Sequence, residues 1–336
     1  MRLEEIDIDE WDRALPASGF EVFHTPEALE VLDEHTNARR RLYGAFKGQE
    51  AVGLLPTFAS SYGIGRTVTS PPTGMGVPRL GPLVMPTSPK QRKRESVTRE
   101  FVELVLEEID TSSSRSLVRM ECPLAYEDPR PFQWADLEVG QVFTYVLDLA
   151  DRDADDVLSG FSRDLRKNIR RAEETDMTVA VEGSDAAMNV YDDVADRYAE
   201  QDEEFPVDRA FFRDLVTALG DRCRTYVARG GDGEYLGGIV VLYSNDTASF
   251  WQGGVGNSYD GVSVNSRLHW AAITDVIEDG DIVDGADVTG YDLVGANTPR
   301  LCEYKSKFGA DLVPYYTVES SGVGMSVAKR AYSSIK

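Results

Sequence analysis

The chain has 336 residues, of which 42% are hydrophobic, and this is enough for two medium-sized folded domains. Its net charge of −23 disfavours a broad nucleic-acid-binding surface, because such a surface would repel phosphates. No apolar run reaches the ~18 residues that a membrane helix needs. The acidic N-terminal segment also lacks the apolar core of a secretion signal, so we expect a protein that stays in the cytoplasm.

The basic residues are unevenly divided, since only 8 of the 35 are Lys and the others are Arg. An acidic, Lys-poor protein is typical of adaptation to concentrated salt, and we hypothesise a halophilic source. Low ionic strength would leave the carboxylate repulsion unscreened, so salt should increase the free energy of unfolding. A chain that is most stable in dilute buffer would rule this out.

The three Cys and three His residues show no ligand spacing, which predicts neither a metal site nor a disulfide framework. In the first half, the apolar patterning predicts five features in chain order. They are a helix over 26–35, a strand pair formed by Arg41–Phe46 and Ala51–Ala59, a Gly- and Pro-rich loop region over 60–90, a helix over Ser96–Ile109 and a strand over Leu117–Cys122.

The second half repeats this order of elements, with an additional helix at its start. The predicted helices are Val157–Glu174, Ala186–Glu200, one that begins after Asp208 and ends at Gly220, and Val264–Glu278, which Asn265 is expected to cap. The predicted strands are Thr178–Glu182, Arg224–Arg229, Tyr235–Tyr243, Ala248–Gly253 and Gly290–Leu293.

The two predicted hairpins also align with each other. Residues 41–53 match residues 224–237 with one extra residue in the second turn, so that Ala45 corresponds to Ala228 and Gly53 to Gly237. Any β-hairpin alternates in this way, but the flanking elements repeat as well, which favours a duplication. We therefore predict a mixed α/β fold with a first half over 1–145, a second half over 146–320 and a C-terminal tail over 321–336.

Four segments in order resemble one family, the Fem-type peptidoglycan-bridge aminoacyltransferases and their relatives in the GNAT acyltransferase superfamily. The segments are Val77–Val84, which is similar to the family's Arg-Gly-Pro loop but has Leu80 inserted; Leu147–Leu149 with the Arg-rich stretch Phe161–Ala172; Phe250–Gly254 with the helix through Trp270; and Tyr291–Asn297 with Glu303–Gly309. The resemblance covers residues 20–318 and implies two tandem GNAT-like units, with the active site in the second.

The resemblance implies an enzyme that moves an acyl or aminoacyl group onto an amine of a cell-surface or glycan precursor. The donor is either acyl-CoA or aminoacyl-tRNA, and no metal is implied. The Arg/Gln-x-x-Gly-x-Gly/Ala loop that cradles coenzyme A in ordinary GNAT enzymes does not occur cleanly, which disfavours a standard acetyl-CoA enzyme.

Five cations fall within nine residues of the predicted Arg-rich helix and share the face opposite its apolar side chains. This face is either an ordinary solvated surface or a binding site for an anionic group such as phosphate or a tRNA backbone. The residues that we expect to contact such a group are Arg166, Arg170 and Arg171.

Lys305 is the candidate catalytic residue, because acyl transfer passes through an oxyanion that needs a fixed cation or hydrogen-bond donors. The family places a lysine after an aromatic residue in its last motif, and Tyr304 and Lys305 match those positions. Asp292 is the candidate general base. The remaining candidate substrate-binding residues are Trp251, Asn297, Tyr304 and Arg79.

Two other interpretations remain open at this point. One is a doubled GNAT-like module that binds an anionic glycan or nucleotide conjugate without turnover, since fold does not fix function. The other is a tRNA-binding accessory protein, which depends on the Arg-rich helix alone. Whether Lys305 and Asp292 point into one shared cleft distinguishes the enzyme from the binding module.

Overall fold

The structure is a computed structural model that describes residues 1–62, 65–110, 116–254, 256–279, 282–283 and 285–320. The chain forms two compact units. Unit 1 contains Met1–Val142 and the residues from Pro314 onward, and unit 2 contains Phe143–Val313. The predicted tail over 321–336 lies outside the described residues. Within the described ranges, no helix combines the length and the apolar character needed to cross a membrane.

The described residues of the first part of the chain form seven strands and four α-helices. In chain order they are β1 (Arg2–Glu5), α1 (Ile8–Ala14), α2 (Pro26–His35), β2 (Arg39–Lys47), β3 (Glu50–Tyr62), β4 (Gly65–Ser70), β5 (Leu83–Val84), α3 (Gln91–Glu108), β6 (Ser116–Glu121), α4 (Arg130–Trp134) and β7 (Leu137–Asp148).

The second part repeats that alternation after two additional helices. Its elements are α5 (Ala154–Gly160), α6 (Arg163–Glu173), β8 (Thr178–Glu182), α7 (Ser184–Ala199), α8 (Arg209–Leu219), β9 (Cys223–Arg229), β10 (Tyr235–Tyr243), β11 (Thr247–Gly253), β12 (Ser258–Tyr259), β13 (Val262–Ser263), α9 (Val264–Glu278), β14 (Gly290–Asp292), α10 (Pro299–Lys305) and β15 (Asp311–Ser320).

The two units have the same strand order. In unit 1 the order is β1-β2-β3-β4-β6-β15, and in unit 2 it is β8-β9-β10-β11-β14-β7. Each of these sheets has one parallel pair, β4 with β6 and β11 with β14, among antiparallel neighbours. Helix α3 packs its apolar face on the unit 1 sheet, and α9 does so in unit 2. The two predicted tandem α/β units are confirmed.

The two matching hairpins also have the same irregularity. In β2 and β3 the pairing register shifts directly beside Gly53, which pairs with Ala45. In β9 and β10 it shifts beside Gly237, which pairs with Ala228. A β-bulge inserts one residue and increases the local twist, so a bulge at the matched position is strong evidence for duplication.

The division of the chain differs from the predicted boundary in two places. The break falls after Val142, three residues before the predicted one, because the end of β7 pairs with β14, with Leu147 opposite Tyr291. Residues from Pro314 onward belong to unit 1, because β15 pairs with β6, with Thr317 opposite Glu121. A strand that returns to an earlier unit leaves no signal in local sequence patterns.

One predicted helix is two helices in the structure. The expected helix over Val157–Glu174 ends at Gly160 and begins again at Arg163. The side chain of Ser162 accepts a hydrogen bond from the Leu165 amide and so caps α6. Phe161 has an extended backbone and packs edge-on against Trp270 and Phe308. The break therefore anchors α6 to the core of unit 2.

Candidate active site in unit 2

The parallel strands β11 and β14 separate at the point where β14 ends. They pair over three residues, up to Ser249 opposite Asp292. Strand β11 then continues to Gly253, whereas the chain leaves β14 into residues 293–297, which we call the β14 turn. The carboxyl ends of neighbouring parallel strands that diverge are a common location for ligand sites in α/β proteins.

The β14 turn contains two residues in the left-handed backbone region. Val294 has a φ of 47° and Gly295 a φ of 83°. Glycine adopts this region freely, but a β-branched residue there is a true outlier, and such strain costs on the order of 1–3 kcal/mol. The surrounding contacts must therefore stabilise the Val294 conformation.

Asp292 holds the turn from one side. The Asp292 side chain is fully buried, and its Oδ1 accepts hydrogen bonds from the Val294 amide at 2.8 Å and from the Thr144 hydroxyl at 2.5 Å. The same hydroxyl oxygen of Thr144 accepts from the Gly295 amide at 3.1 Å. This network fixes the backbone of the turn and occupies an oxygen of the carboxylate.

Lys305 holds the same turn from the other side. Its Nζ donates to the carbonyl oxygens of Val294 and, at 3.1 Å, of Gly295. The side chain is only 4% exposed, and the ammonium lies 5.7 Å from the centre of the Phe250 ring. Asp292 and Lys305 thus both bind the backbone of one turn.

Burial changes the acidity of Lys305. Removal of water disfavours the charged form and lowers the pKa of Lys305 to about 8, although the nearby Asp292 carboxylate favours the cation. An ammonium group has three N–H donors, and the two contacts to carbonyls leave one donor for a further acceptor. The turn therefore presents a buried cation whose protonation changes just above neutral pH.

An aromatic cluster surrounds the Lys305 side chain. The His269 ring lies 4.7 Å from Phe250, 5.3 Å from Phe308 and 6.2 Å from Tyr304, measured between ring centres. Burial, followed by the nearby Lys305, lowers the pKa of His269 to about 3, so the imidazole is neutral. Its Nδ1 shares a hydrogen bond of 2.8 Å with the Tyr291 hydroxyl. His269 is therefore a packed neutral residue.

Two other candidate residues make contacts that stabilise the site. Tyr304, next to Lys305, accepts a hydrogen bond at 2.9 Å from Asn265 Nδ2. Asn265 was expected to cap α9, but the structure gives that position to Ser263, whose hydroxyl accepts from the Ser266 amide. Asn265 instead packs against Gly254, where an added Cβ would lie 2.9 Å from Asn265 Oδ1.

Trp251 and Asn297 lie at opposite ends of the candidate region. Trp251 is 6% exposed and stacks on Phe212 of α8, with ring centres 5.0 Å apart. Asn297 is exposed, and its side-chain amide accepts from the Phe143 amide at 2.9 Å and donates to the Phe143 carbonyl at 3.1 Å. Both side chains are engaged with the protein, and their substrate-binding roles stay predictions.

The Arg-rich helix α6 divides into two groups of cations. Arg166 Nη1 donates to the carbonyls of Ser159 and Phe161, at 2.6 and 2.7 Å, and so satisfies the end of α5. Arg170 and Arg171 are exposed in the last turn of α6. The structure therefore makes Arg166 a helix-linking residue and leaves Arg170 and Arg171 facing solvent.

These contacts predict a division of effects along α6. If α6 binds an anionic ligand such as tRNA, Arg170→Gln and Arg171→Gln together should weaken that binding and lower its salt dependence, while the free energy of unfolding barely changes. Arg166→Gln should reduce the free energy of unfolding by about 1 kcal/mol, because two charge-assisted hydrogen bonds are lost. Urea titrations and binding measured at several salt concentrations check both expectations. Arg213→Gln, at an exposed arginine of α8, is the matched control, and a loss of binding no larger than that of the control would remove α6 from consideration.

Arg79 lies in the interior of unit 1. It is fully buried, and its Nε and Nη2 donate to the two carboxylate oxygens of Glu21, at 2.9 and 3.1 Å. Its guanidinium also lies over the Tyr315 ring, at 5.2 Å from the ring centre. The structure thus places this predicted substrate-binding residue in a bidentate ion pair, and not beside the β14 turn.

The sequence reasoning missed several residues that form the site. Thr144 carried no signal, because its partner Asp292 is 148 residues away along the chain. The left-handed conformation of Val294 was not predictable either, since only its neighbour Gly295 indicates a left-handed turn. Among the described residues, no group of three or more His, Cys, Asp or Glu side chains is arranged to hold a metal ion.

One family model matches part of the chain. Residues 159–306 match the family model described as acetyltransferase (GNAT) domain, and this range lies within unit 2. Unit 2 is a GNAT-type acyltransferase domain. The expected GNAT-type acyltransferase domain is therefore present in unit 2, and the likeness to the Fem-type branch is a likeness in fold.

Solved structures of other proteins share the fold across most of the chain. The structure described as FemX has a TM-score of 0.70 at 11% identity and covers 94% of this chain and 97% of its own. A C-terminal domain of a putative lysylphosphatidylglycerol synthetase from Agrobacterium fabrum has a TM-score of 0.54 at 12% identity, with coverages of 96% and 94%. L-PGS from Bacillus licheniformis has a TM-score of 0.51 at 14% identity, with coverages of 92% and 96%. Such identities establish the fold alone, and no curated protein matches the sequence.

Proposed function

We propose that the chain transfers an acyl or aminoacyl group onto the amine of a cell-surface or glycan precursor, and that the reaction takes place at the β14 turn. The observation that carries this proposal is the buried Lys305 ammonium, held by the carbonyls of Val294 and Gly295 where β11 and β14 separate. The GNAT domain supplies the reaction class, and the turn supplies a fixed positive charge.

The proposed role of Lys305 follows from the charge that develops during acyl transfer. When an amine attacks the donor carbonyl, the carbonyl oxygen becomes an oxyanion in the tetrahedral intermediate. A fixed cation in a poorly hydrated place stabilises that oxyanion more than it stabilises the neutral carbonyl of the donor. Lys305 meets these conditions, because it is 4% exposed and its chain is packed beside Phe250.

Asp292 is better suited to positioning than to taking a proton from the amine. Its side chain is fully buried, and Oδ1 is engaged by the Val294 amide and the Thr144 hydroxyl. A general base must come within hydrogen-bond reach of the proton that it removes. We therefore infer that Asp292 keeps Val294 in its strained conformation and so aims the carbonyls that hold Lys305.

The donor is either acyl-CoA or aminoacyl-tRNA, and both carry phosphate groups. The exposed pair Arg170 and Arg171, at the end of α6, supports an anionic donor of either kind. Turnover assays with acetyl-CoA and with aminoacyl-tRNA, each with a small panel of amine-bearing glycan precursors, separate the two. Failure of both donors with every amine would contradict the proposed reaction.

The pH dependence of turnover tests the charge state of Lys305. The pKa of Lys305 is about 8, so the rate should fall as the pH rises from 7 to 9.5 if the cation is required. Folding lowers this pKa from 10.5, so the folded chain loses the proton at a lower pH than the unfolded chain does. The contribution of Lys305 to the free energy of unfolding therefore increases as the pH rises through that interval. The decline would therefore not report unfolding caused by Lys305. A rate that increases across this range, measured with an acceptor amine that is already neutral at pH 7, would contradict the requirement for the Lys305 cation.

A further inference from the structure

Unit 1 contains a cavity of about 370 Å³ between three segments that are far apart in the sequence. The segments are residues 16–19, residues 82–87 around β5 and residues 123–126 after β6. The pairing of β5 with β3 places Val84 opposite Gly53, and the Leu124 amide donates to Glu21 Oε1 at 3.2 Å. The volume of this cavity is within the usual range for small-molecule pockets.

The wall of the cavity is uncharged and rich in proline. Four prolines line it, namely Pro16, Pro82, Pro86 and Pro123. A proline ring fixes φ and removes the backbone N–H, so these positions are stiff and donate no backbone hydrogen bond. Within the part of the chain that the structure describes, no charged side chain lines the cavity, and an ion would lose its hydration there without gaining a partner. We therefore expect an uncharged ligand.

Tyr126 also lines the cavity, and its hydroxyl has no hydrogen-bond partner among the described residues. The side chain is only 4% exposed. Burial, followed by the nearby Cys122 and Asp128, raises the pKa of Tyr126 well above its ordinary value, so the hydroxyl keeps its proton. A buried donor without an acceptor is costly, and native structures contain few of them. Tyr126 thus has an O–H donor that a ligand can use.

The carboxylates near Tyr126 are bound by arginines instead. The contacts are Arg94 with Glu127 at 3.1 Å, Arg130 with Asp128 at 2.7 Å and Arg130 with Glu95 at 2.8 Å. These groups belong to a second, smaller cavity of about 90 Å³, which Tyr126 also borders. In the described part of the chain, none of these carboxylates accepts a hydrogen bond from the Tyr126 hydroxyl. An acceptor for this hydroxyl must therefore come from outside the fold.

We propose that the larger cavity binds a small uncharged molecule with a carbonyl oxygen on an apolar body, and that the oxygen accepts a hydrogen bond from the Tyr126 hydroxyl. The apolar body packs on the prolines and on Leu83 and Met85, which line the same cavity. The stiff wall reduces the ordering that binding requires. This site belongs to unit 1 and does not depend on the reaction proposed at the β14 turn.

Titration of the full ¹⁵N-labelled chain with cyclohexanone tests the proposal, with the amides of Gly19 and Met85 as reporters because both residues line the cavity. Methylenecyclohexane has nearly the same shape with a CH₂ group in place of the carbonyl oxygen, and cyclohexylammonium carries a charge. We expect cyclohexanone to shift these amides at a lower concentration than either of the other probes. Equal or tighter binding of methylenecyclohexane or cyclohexylammonium, or no shift with cyclohexanone, would overturn the proposal.

Removal of the hydroxyl alone provides the second measurement. Tyr126→Phe keeps the ring that packs against Phe132, and it should raise the Kd for cyclohexanone by about tenfold with little effect on methylenecyclohexane. Because the hydroxyl has no partner among the described residues, Tyr126→Phe should also leave the urea midpoint of the ligand-free chain unchanged.

Tyr191→Phe is the matched control, since the Tyr191 hydroxyl donates to the Val207 carbonyl at 2.8 Å. This variant should lower the urea midpoint and leave the Kd for cyclohexanone unchanged. If Tyr126→Phe changed the Kd no more than the control does, the assignment of the hydroxyl to the ligand would be wrong. A loss of urea midpoint as large as that of the control would also contradict it, because the hydroxyl would then be engaged within the fold.

Discussion

Replacement of Lys305 by Met is expected to lower kcat by about 10²–10³, with a much smaller change in KM. The ammonium lies at the β14 turn, held by the carbonyls of Val294 and Gly295, and the charge that it stabilises exists mainly in the transition state. Met retains the length and apolar body of the chain, so packing against Phe250 is preserved while the charge is lost. Steady-state kinetics with an authentic donor and amine measure both constants.

Three controls separate this role from a purely structural one. Lys305→Arg should restore turnover only in part, because a planar guanidinium cannot place its charge at the same point. Lys307→Met, an exposed lysine two residues further along the chain, should keep full turnover. The residual activity of Lys305→Met should also lose the decline in rate above a pH of about 8. Full turnover in Lys305→Met, or an effect on KM alone, would contradict the oxyanion role.

Much of the fold was predictable because the signals are local. Helix α9 and strand β8 have the predicted bounds, since their residue patterns lie within the segment itself, although the cap of α9 is Ser263 and not Asn265. The bulge shared by the two hairpins follows from the aligned glycines, Gly53 and Gly237. The return of β15 to unit 1 was not predictable, because strand partners are chosen by tertiary packing and not by the pattern of one strand.

The candidate site was predictable in part for the same reason. Lys305 stood out because lysines are scarce in this chain and because it follows Tyr304 in a family-like motif. The contacts that define its environment join elements far apart in sequence, such as Thr144 with Asp292. Sequence patterns identify such residues individually and do not show that they lie close together in the fold.

The buried pair of Arg79 and Glu21 leads to the second large expected effect, which is on stability. Arg79→Met should lower the free energy of unfolding by about 3–5 kcal/mol, because Glu21, whose side chain is 12% exposed, would keep its charge without its partner. The loss has a further consequence, since Glu21 Oε1 also accepts from the Leu124 amide at 3.2 Å and so anchors the segment after β6.

A double-mutant cycle distinguishes an ion pair from a general packing defect. Glu21→Gln combined with Arg79→Met removes both charges, and the double variant should be more stable than Arg79→Met alone. The control is Arg99→Met, whose exposed partner Glu103 lies 3.7 Å away on the same helix, and it should barely change the urea midpoint. If Arg79 instead contacts substrate, as the family resemblance implied, Arg79→Met would raise KM when activity is expressed per folded molecule. An unchanged KM together with the large loss of stability would show that Arg79 has a structural role in unit 1. A guanidinium buried against Glu21 stabilises the fold whether or not substrate is present.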